Sequence, residues 1–337
     1  MKKKIWIILS LLIVLLFVSN LFWGSVRIPF TDVLNILSGG MPENGTWGYI
    51  VLQSRLPQAV TALLAGCALA ASGLLLQTAF GNPLAGPSIL GITSGASLGV
   101  ALVMLAAGNS VIGSVSGSLS TVAGAFAGSA LVLGIIILFS TVVRSSVMLL
   151  IVGIMVGYIA NSVITLLNFF ASESNVFSYT LWGMGDFSSV TLSELPLFCT
   201  VVFVGLLLAV LLIKPLNALL LGDRYAENLG VNVRRARLLL LLCTGLLTAI
   251  VTSYCGPIAF LGLAVPHIAR LTLRSSNHKV LLPVTLLTGG VVALLCNLIC
   301  SLPWHGGIIP LNAVTPVFGA PVIIYVIINK AKIEYFE

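Results

Sequence analysis

Few side chains in this sequence stand where reactive chemistry would need them. Residues 183–186 read "GMGD", the G-x-G-D pattern of intramembrane aspartyl proteolysis. That reaction needs two carboxylates sharing a proton. The other aspartates, Asp32 and Asp223, fall in segments that read as loops, and Asp186 itself falls in a loop, so the protease reading is rejected. Six cysteines occur, and none forms a CxxC pair. Cys296 and Cys300 share a helix face at a spacing of four, which is half of a metal site, but no further ligand lies nearby in sequence. They read as small apolar packing residues. His305, in "PWHGG", is open to two readings, a contact to haem or metal and a plain loop histidine. No G-x-x-x-x-G-K-[ST] phosphate loop, HExxH or GxSxG occurs. No metal site, cofactor or catalytic group is expected, and no ATP site of the phosphate-loop kind.

The remaining candidates are charges. Only 7% of the 337 residues are charged, yet Asp223, Arg224, Glu227, Arg234, Arg235 and Arg237 crowd into residues 222–237. A soluble domain carries about 25% charged residues. At 58% hydrophobic residues, the composition indicates a polytopic membrane protein. The net charge of +7 does not indicate nucleic acid, because the basic residues are scattered between apolar runs.

The elements that position these charges are membrane spans. Ten apolar segments are long enough: 5–23, 57–79, 89–107, 120–140, 147–170, 194–213, 236–253, 257–273, 280–300 and 309–329. The first follows a basic start and is read as a retained span rather than a cleaved signal. With the N-terminus inside, the inner segments hold fourteen Lys and Arg and the outer segments hold only Arg27 and Arg55. That asymmetry supports ten spans with both termini cytoplasmic. The spans themselves are expected to lack buried Asp, Glu, Lys or Arg, which argues against a proton-driven carrier.

On this map the charge cluster lies in the cytoplasmic loop between spans six and seven, about residues 214–235. Arg234, Arg235 and Arg237 are explained as inner anchors of span seven. The mixture of Leu219, Leu220, Tyr225, Leu229 and Val231 with Asp223 and Glu227, punctuated by Gly222 and Gly230, predicts two short amphipathic helices. Such a surface suits a soluble partner or the lipid headgroups.

Glycines recur at helical spacing: Gly91, Gly95 and Gly99 in span three, Gly124 and Gly128 in span four, Gly153 and Gly157 in span five. They predict close helix packing. "GPSILGI" at 86–92 and "GPIAFLGL" at 256–263 are five spans apart, which predicts an inverted five-helix pseudo-repeat. No low-complexity linker divides residues 1–337, so the chain reads as a single permease-like domain.

The stretches 55–99, 221–233 ("LGDRYAENLGVNV"), 256–271 ("GPIAFLGLAVPHIARL") and 311–327 ("LNAVTPVFGAPVIIYVI") together resemble the FecCD-type permeases. These are membrane subunits of ABC importers for iron-siderophores, haem and cobalamin. The resemblance implies a ten-helix subunit in the plasma membrane, without catalysis of its own, and a homodimer with the pathway between the copies. It implies a cytoplasmic ATP-binding subunit in two copies and an extracytoplasmic substrate-binding protein as partners. Neither nucleic acid nor a cofactor is implied. It assigns ATPase coupling to Leu221, Gly222, Asp223, Ala226, Glu227, Leu229, Gly230, Val231 and Asn232. It assigns the cytoplasmic gate to Asn82, Leu84 and Ser146, and binding-protein docking to Arg55, with Arg27 as a substitute for missing family arginines. The loop "FGNPLAGPS" carries no charge, unlike every other inner segment, as a constriction on a pathway would require.

The chain departs from the family pattern at four places. Gln58 stands where a second Arg is usual. Asn297 and Ser301 stand where an acid and a later Arg are usual in span nine, and Asn312 replaces a Gly. Pro266, His267 and Arg270 match the family's PHxxR and read as a structural helix end. A stand-alone secondary carrier and a non-transporting membrane scaffold are the competing classes. Association with an ATPase subunit separates them from the importer.

Overall fold

A backbone in hydrocarbon has no water to bond, so apolar runs of this length satisfy their peptide groups internally as helices. The computed structural model describes residues 2–40, 44–106, 115–143, 146–302 and 309–329, and no strand occurs among them. In chain order the helices are α1 (Lys2–Phe22), α2 (Phe30–Leu37) and α3 (Gly45–Tyr49), which continues through a π-helical stretch, Ile50–Arg55, into α4 (Leu56–Ala79). Next come α5 (Ile92–Ala101), with a π-helical extension Leu102–Ala106, then α6 (Val115–Val142), α7 (Ser146–Phe170) and α8 (Glu173–Gly183). The rest are α9 (Leu195–Leu211), α10 (Ile213–Leu219), α11 (Asp223–Asn228), α12 (Val233–Cys255), α13 (Leu261–Leu273), α14 (His278–Ser301) and α15 (Leu311–Ile328).

Each expected span coincides with a helix. Among the described residues seven helical stretches are individually long and apolar enough to cross a membrane. The pair α9 and α10, bent by 50°, is an eighth candidate, and Ile92–Leu105 and Leu261–Leu273 are apolar but shorter. Three helices were not anticipated. The first two, α2 and α3, close the end of α1 over a small separate core of Ile28, Val33, Ile36 and Val51, and Asn44 caps α3 by accepting from the Thr46 amide at 3.0 Å. The third, α8, follows α7 directly. Pro266, expected at a helix end, lies inside α13, and Arg270 occupies its last turn. Proline is tolerated there because neighbouring groups can satisfy the freed carbonyl.

The helices α4 and α12 form the axis, each buried over most of its length. Around them the packing is paired. As α4 packs on α14, α12 packs on α6; as α5 packs on α6 and α7, α13 packs on α14 and α15; and α4 and α12 pack on each other.

Lipid tails are as apolar as leucine, so apolar burial alone does not drive these helices together; close approach does. The expected glycines make that approach. A Cβ on Gly99 would stand 1.9 Å from the Gly124 carbonyl oxygen, and one on Gly128 would stand 2.0 Å from that of Gly95. The tightest crossing, α4 on α13, was not read from the sequence: a Cβ on Gly73 would fall 1.5 Å from the Gly262 carbonyl oxygen. Gly66 and Gly289 bring α4 and α14 together in the same way, each placing a Cβ within 2.4 Å of the other's carbonyl oxygen.

Overpacking a tight contact costs about 1–3 kcal/mol, and more where backbone must move. Gly73→Leu is therefore expected to abolish the folded protein in detergent. Gly134→Ala, at a position with no atom within 4 Å of the new methyl, is expected to leave the melting temperature nearly unchanged. Melting followed by size-exclusion chromatography checks both, and a stable Gly73→Leu protein would refute the contact.

Candidate functional site

Polar groups gather at the two ends of α4, about 33 Å apart by helical rise. At its N-terminal end Arg55 is 6% exposed, not the open docking cation expected. Its Nη1 donates to the carbonyls of Leu21 and Phe22, both at 2.9 Å, and its Nη2 donates to that of Val26. The first two are carbonyls that the end of α1 leaves without helical partners, and Val26 lies in the turn that follows it. A five-donor guanidinium is suited to collecting them, which is the physical reason for its burial. Arg27, immediately after Val26, is exposed.

Two of the unusual residues meet at this end. The Gln58 Nε2 donates to Asn297 Oδ1 at 3.0 Å, Asn297 Nδ2 donates to Asn20 Oδ1 at 2.8 Å, and Asn20 Nδ2 donates to the Leu294 carbonyl at 3.1 Å. This amide ladder ties α4, α14 and α1. Gln58 and Asn297, two of the departures named from the sequence, are thus in contact as neutral amides. The ladder borders a cleft of about 330 Å³, whose other lining includes Ser54, Asp186, Cys300 and Ser301. Asn312, the fourth departure, clamps the start of α15. Its Oδ1 accepts from the Ala259 amide at 3.0 Å, and its Nδ2 donates to the carbonyls of Gly183 at 3.1 Å and Pro257 at 2.6 Å. A glycine could make none of these side-chain bonds.

The C-terminal end of α4 carries the residues expected to gate and couple. From Phe80 the chain leaves the helix in hydrogen-bonded turns: the Asn82 amide donates to the Gln77 carbonyl at 3.0 Å, and Asn82 Oδ1 accepts from the Leu84 amide at 2.9 Å. This Asx turn leaves Leu84 40% exposed. Ser146 is the first residue of α7. His305 lies outside the described residues.

The loop between α9 and α12 forms two short helices, α10 and α11, as expected. Gly222 and Gly230 both have positive φ, 92° and 81°, and bracket α11. Side chains of L-residues clash in that conformation, so glycine is the residue that serves there. On α11 Ala226 is fully buried, and Tyr225, Glu227 and nearby Leu221 and Leu229 are exposed. Asn232 caps α12 by accepting from the Arg235 amide at 2.9 Å, and Val231 is half-buried. Asp223 is held by Arg237, whose Nη2 donates to both carboxylate oxygens at 3.0 and 2.8 Å.

Two histidines and an arginine are buried here: His267 and Arg270, read from the sequence as part of a structural helix end, and His278, which that reading did not single out. His267 and His278 are fully buried and Arg270 is 5% exposed. Buried Arg55 and Arg270 correct the expectation that the spans hold no buried charge. Among the described residues no group of three or more His, Cys, Asp or Glu could hold a metal ion. Cys296 is packed in the main core.

The comparisons with known proteins agree with this geometry. The sequence profile of the FecCD transport family matches residues 11–329. The chain is 31% identical over 325 residues to the hemin transport system permease protein HmuU of Yersinia pestis, covering 96% of this chain and 95% of that protein. It is 33% identical over 282 residues to the vitamin B12 import system permease protein BtuC of Salmonella paratyphi A, covering 84% of each. A solved structure described as an inward-facing conformation of a metal-chelate type ABC transporter superposes with a TM-score of 0.83 at 28% identity, covering 97% of this chain and 99% of that one.

The amide ladder makes a prediction. Gln58→Arg alone sets a half-buried cation against a neutral amide and is expected to destabilise the protein by about 3–5 kcal/mol, the size found for an uncompensated buried charge. Adding Asn297→Asp restores a partner and is expected to recover most of that loss. Melting of the two variants and the double variant checks this; simple additivity would show that positions 58 and 297 do not interact.

Proposed function

Because the chain belongs to the FecCD transport family, we propose that this multi-pass plasma-membrane permease of the ABC importer class carries iron-siderophore, haem or cobalamin-type cargo along the interface between two copies of itself. In this reading it catalyses nothing. A cytoplasmic ATP-binding subunit, in two copies, hydrolyses ATP, and an extracytoplasmic binding protein delivers the cargo. Ten crossings with both termini cytoplasmic are proposed from the basic-residue asymmetry. An inverted duplication of five helices is proposed from the paired packing about α4 and α12.

The observation that carries the reading is the surface of the α10–α11 step. Leu221, Tyr225 and Leu229 are each more than half exposed on a short, charged segment that begins after a 50° bend. Apolar groups held out on rigid short helices suit a protein partner. The ATPase subunit seats there, and its closure pushes this segment. Asn82, Leu84 and Ser146 form the inner gate, and the neutrality of their loop keeps cargo from sticking, the logic that keeps channel sites weak. On the outer face Arg27 is the accessible cation for the binding protein, and Arg55 acts by holding the turn that presents it.

Gly230→Trp, at φ 81°, forces a side chain into a conformation that costs about 1–2 kcal/mol and adds bulk to the exposed face. The variant is expected to insert and dimerise but to lose the ATPase subunit on purification, as are Asp223→Lys and Glu227→Lys. Retention of the subunit by Gly230→Trp would sink the coupling assignment. ATPase stimulation of the reconstituted wild-type complex by ferric siderophores, haem and cobalamin in turn tests the cargo.

Docking through Arg27 predicts that Arg27→Ala weakens the binding protein's affinity at low salt, with a difference that shrinks as salt is raised. An exposed pair contributes only about 0–1 kcal/mol, so the expected loss is a few-fold. Equal affinity of the variant and the parent at low salt would show that other contacts dock the binding protein.

A further inference from the structure

Two separate hydrogen-bond chains converge on the last turn of α4. The first comes from the α10–α11 segment. The Asn217 Oδ1 on α10 accepts from the His278 backbone amide at 2.8 Å, which fixes the orientation of its amide group. The same oxygen lies 3.0 Å from His278 Nδ1, so Nδ1 carries the hydrogen. In the neutral ring Nε2 is then an acceptor, and the Thr78 hydroxyl, 2.9 Å from it and 3.0 Å from the Leu74 carbonyl, has one hydrogen, which the link to His278 draws to Nε2. One residue further along, the Ala79 carbonyl accepts from Arg237 Nε at 3.3 Å, and Arg237 holds Asp223 of α11.

The second chain leaves the same turn toward the loop that follows. His267 Nε2 lies 2.8 Å from the Pro83 carbonyl, which can only accept, so Nε2 carries the hydrogen. Gln77 Nε2 stands 3.3 Å from that nitrogen, a contact of two donors and not a bond, and Gln77 is itself oriented at both ends: its Oε1 accepts from Arg270 Nη1 at 2.9 Å and its Nε2 donates to the Leu263 carbonyl at 3.1 Å. The Gln77 carbonyl takes the Asn82 amide at 3.0 Å. Every group named lies on a rigid helix end or a bonded turn, and Gln77, His267 and His278 have no exposed surface. At Gln77, Thr78, His267 and His278, which are buried, a displacement of α10 cannot be absorbed by exchanging a protein partner for water.

We infer that Gln77–Ala79 is the joint through which the α10–α11 segment sets the position of the loop bearing Asn82 and Leu84, with Thr78 and His278 as positioning residues. The inference rests on the coupling and gate roles proposed above. It adds the route between them, which runs through α4 and not through the α11–α12 connection alone.

The test uses the whole complex with its ATPase subunit, with Asn82→Cys in both copies. Crosslinking between the copies is measured without nucleotide and with a non-hydrolysable ATP analogue. In the parent, the two states differ. Thr78→Val, which keeps the shape and removes the hydroxyl, is expected to shrink that difference roughly tenfold. Thr78→Ser is expected to restore it. Asn217→Leu, on half-exposed α10, is expected to give the same loss, and the double variant no more than either, because both break one chain. It also serves should Thr78→Val fail to fold. An unchanged nucleotide response in Thr78→Val or Asn217→Leu, or losses that add, overturns the joint while leaving the coupling reading intact. A parent that binds the ATPase subunit yet shows no nucleotide response overturns the gate assignment and the joint together.

Discussion

Backbone-to-backbone contact around α4 is the constraint on which the rest of this structure depends. Gly66 and Gly73 let α4 touch α14 and α13 with no side chain between them. In lipid this contact replaces the hydrophobic drive that would hold a soluble core together. Leucines fill the space around these close approaches: Leu74, Leu75 and Leu76 of α4 and Leu240, Leu241 and Leu247 of α12 are among the largest fully buried side chains. Many of the exposed large apolar side chains lie on α1, α7, α9 and α15.

Apolar contact is non-directional and does not by itself fix the rotation or depth of this axis. The polar layers at its two ends do that. At one end Arg55 gathers three carbonyls and the Gln58–Asn297–Asn20 ladder links three helices. At the other, Gln77 is held by Arg270 and the Leu263 carbonyl, and Thr78 meets His278. A buried polar group left unpaired costs about 1–3 kcal/mol, so each layer tolerates few arrangements. Discrete arrangements at the ends of a stiff rod are what a transporter needs if it is to switch between states without creeping between them.

Three of the four departures named from the sequence acquire physical meaning in this frame. Gln58 and Asn297 bond each other as a neutral pair. Asn312 gives α15 three side-chain bonds to neighbouring loops. The end of the protein at the start of α4 is therefore held by amides as well as by Arg55. Of its two arginines, Arg27 is the exposed one.

The sequence by itself determined the membrane class, the position of every long helix and the two short helices at 213–228. Runs of about 20 apolar residues have one stable form in lipid, and Gly222 and Gly230 interrupt a charged segment in only one economical way. The glycine spacing in α5 and α6 likewise announced a close crossing, because i, i+4 periodicity is local. The sequence alone could not show that Gly73 meets Gly262, that Arg55 is a buried clamp or that His278 reaches Thr78. Those contacts join residues 29 to 200 positions apart, and no local pattern marks them. Tertiary packing decided them, because the partner of a buried polar group is set by which helix ends arrive beside it, and that depends on how closely the glycines let the helices approach.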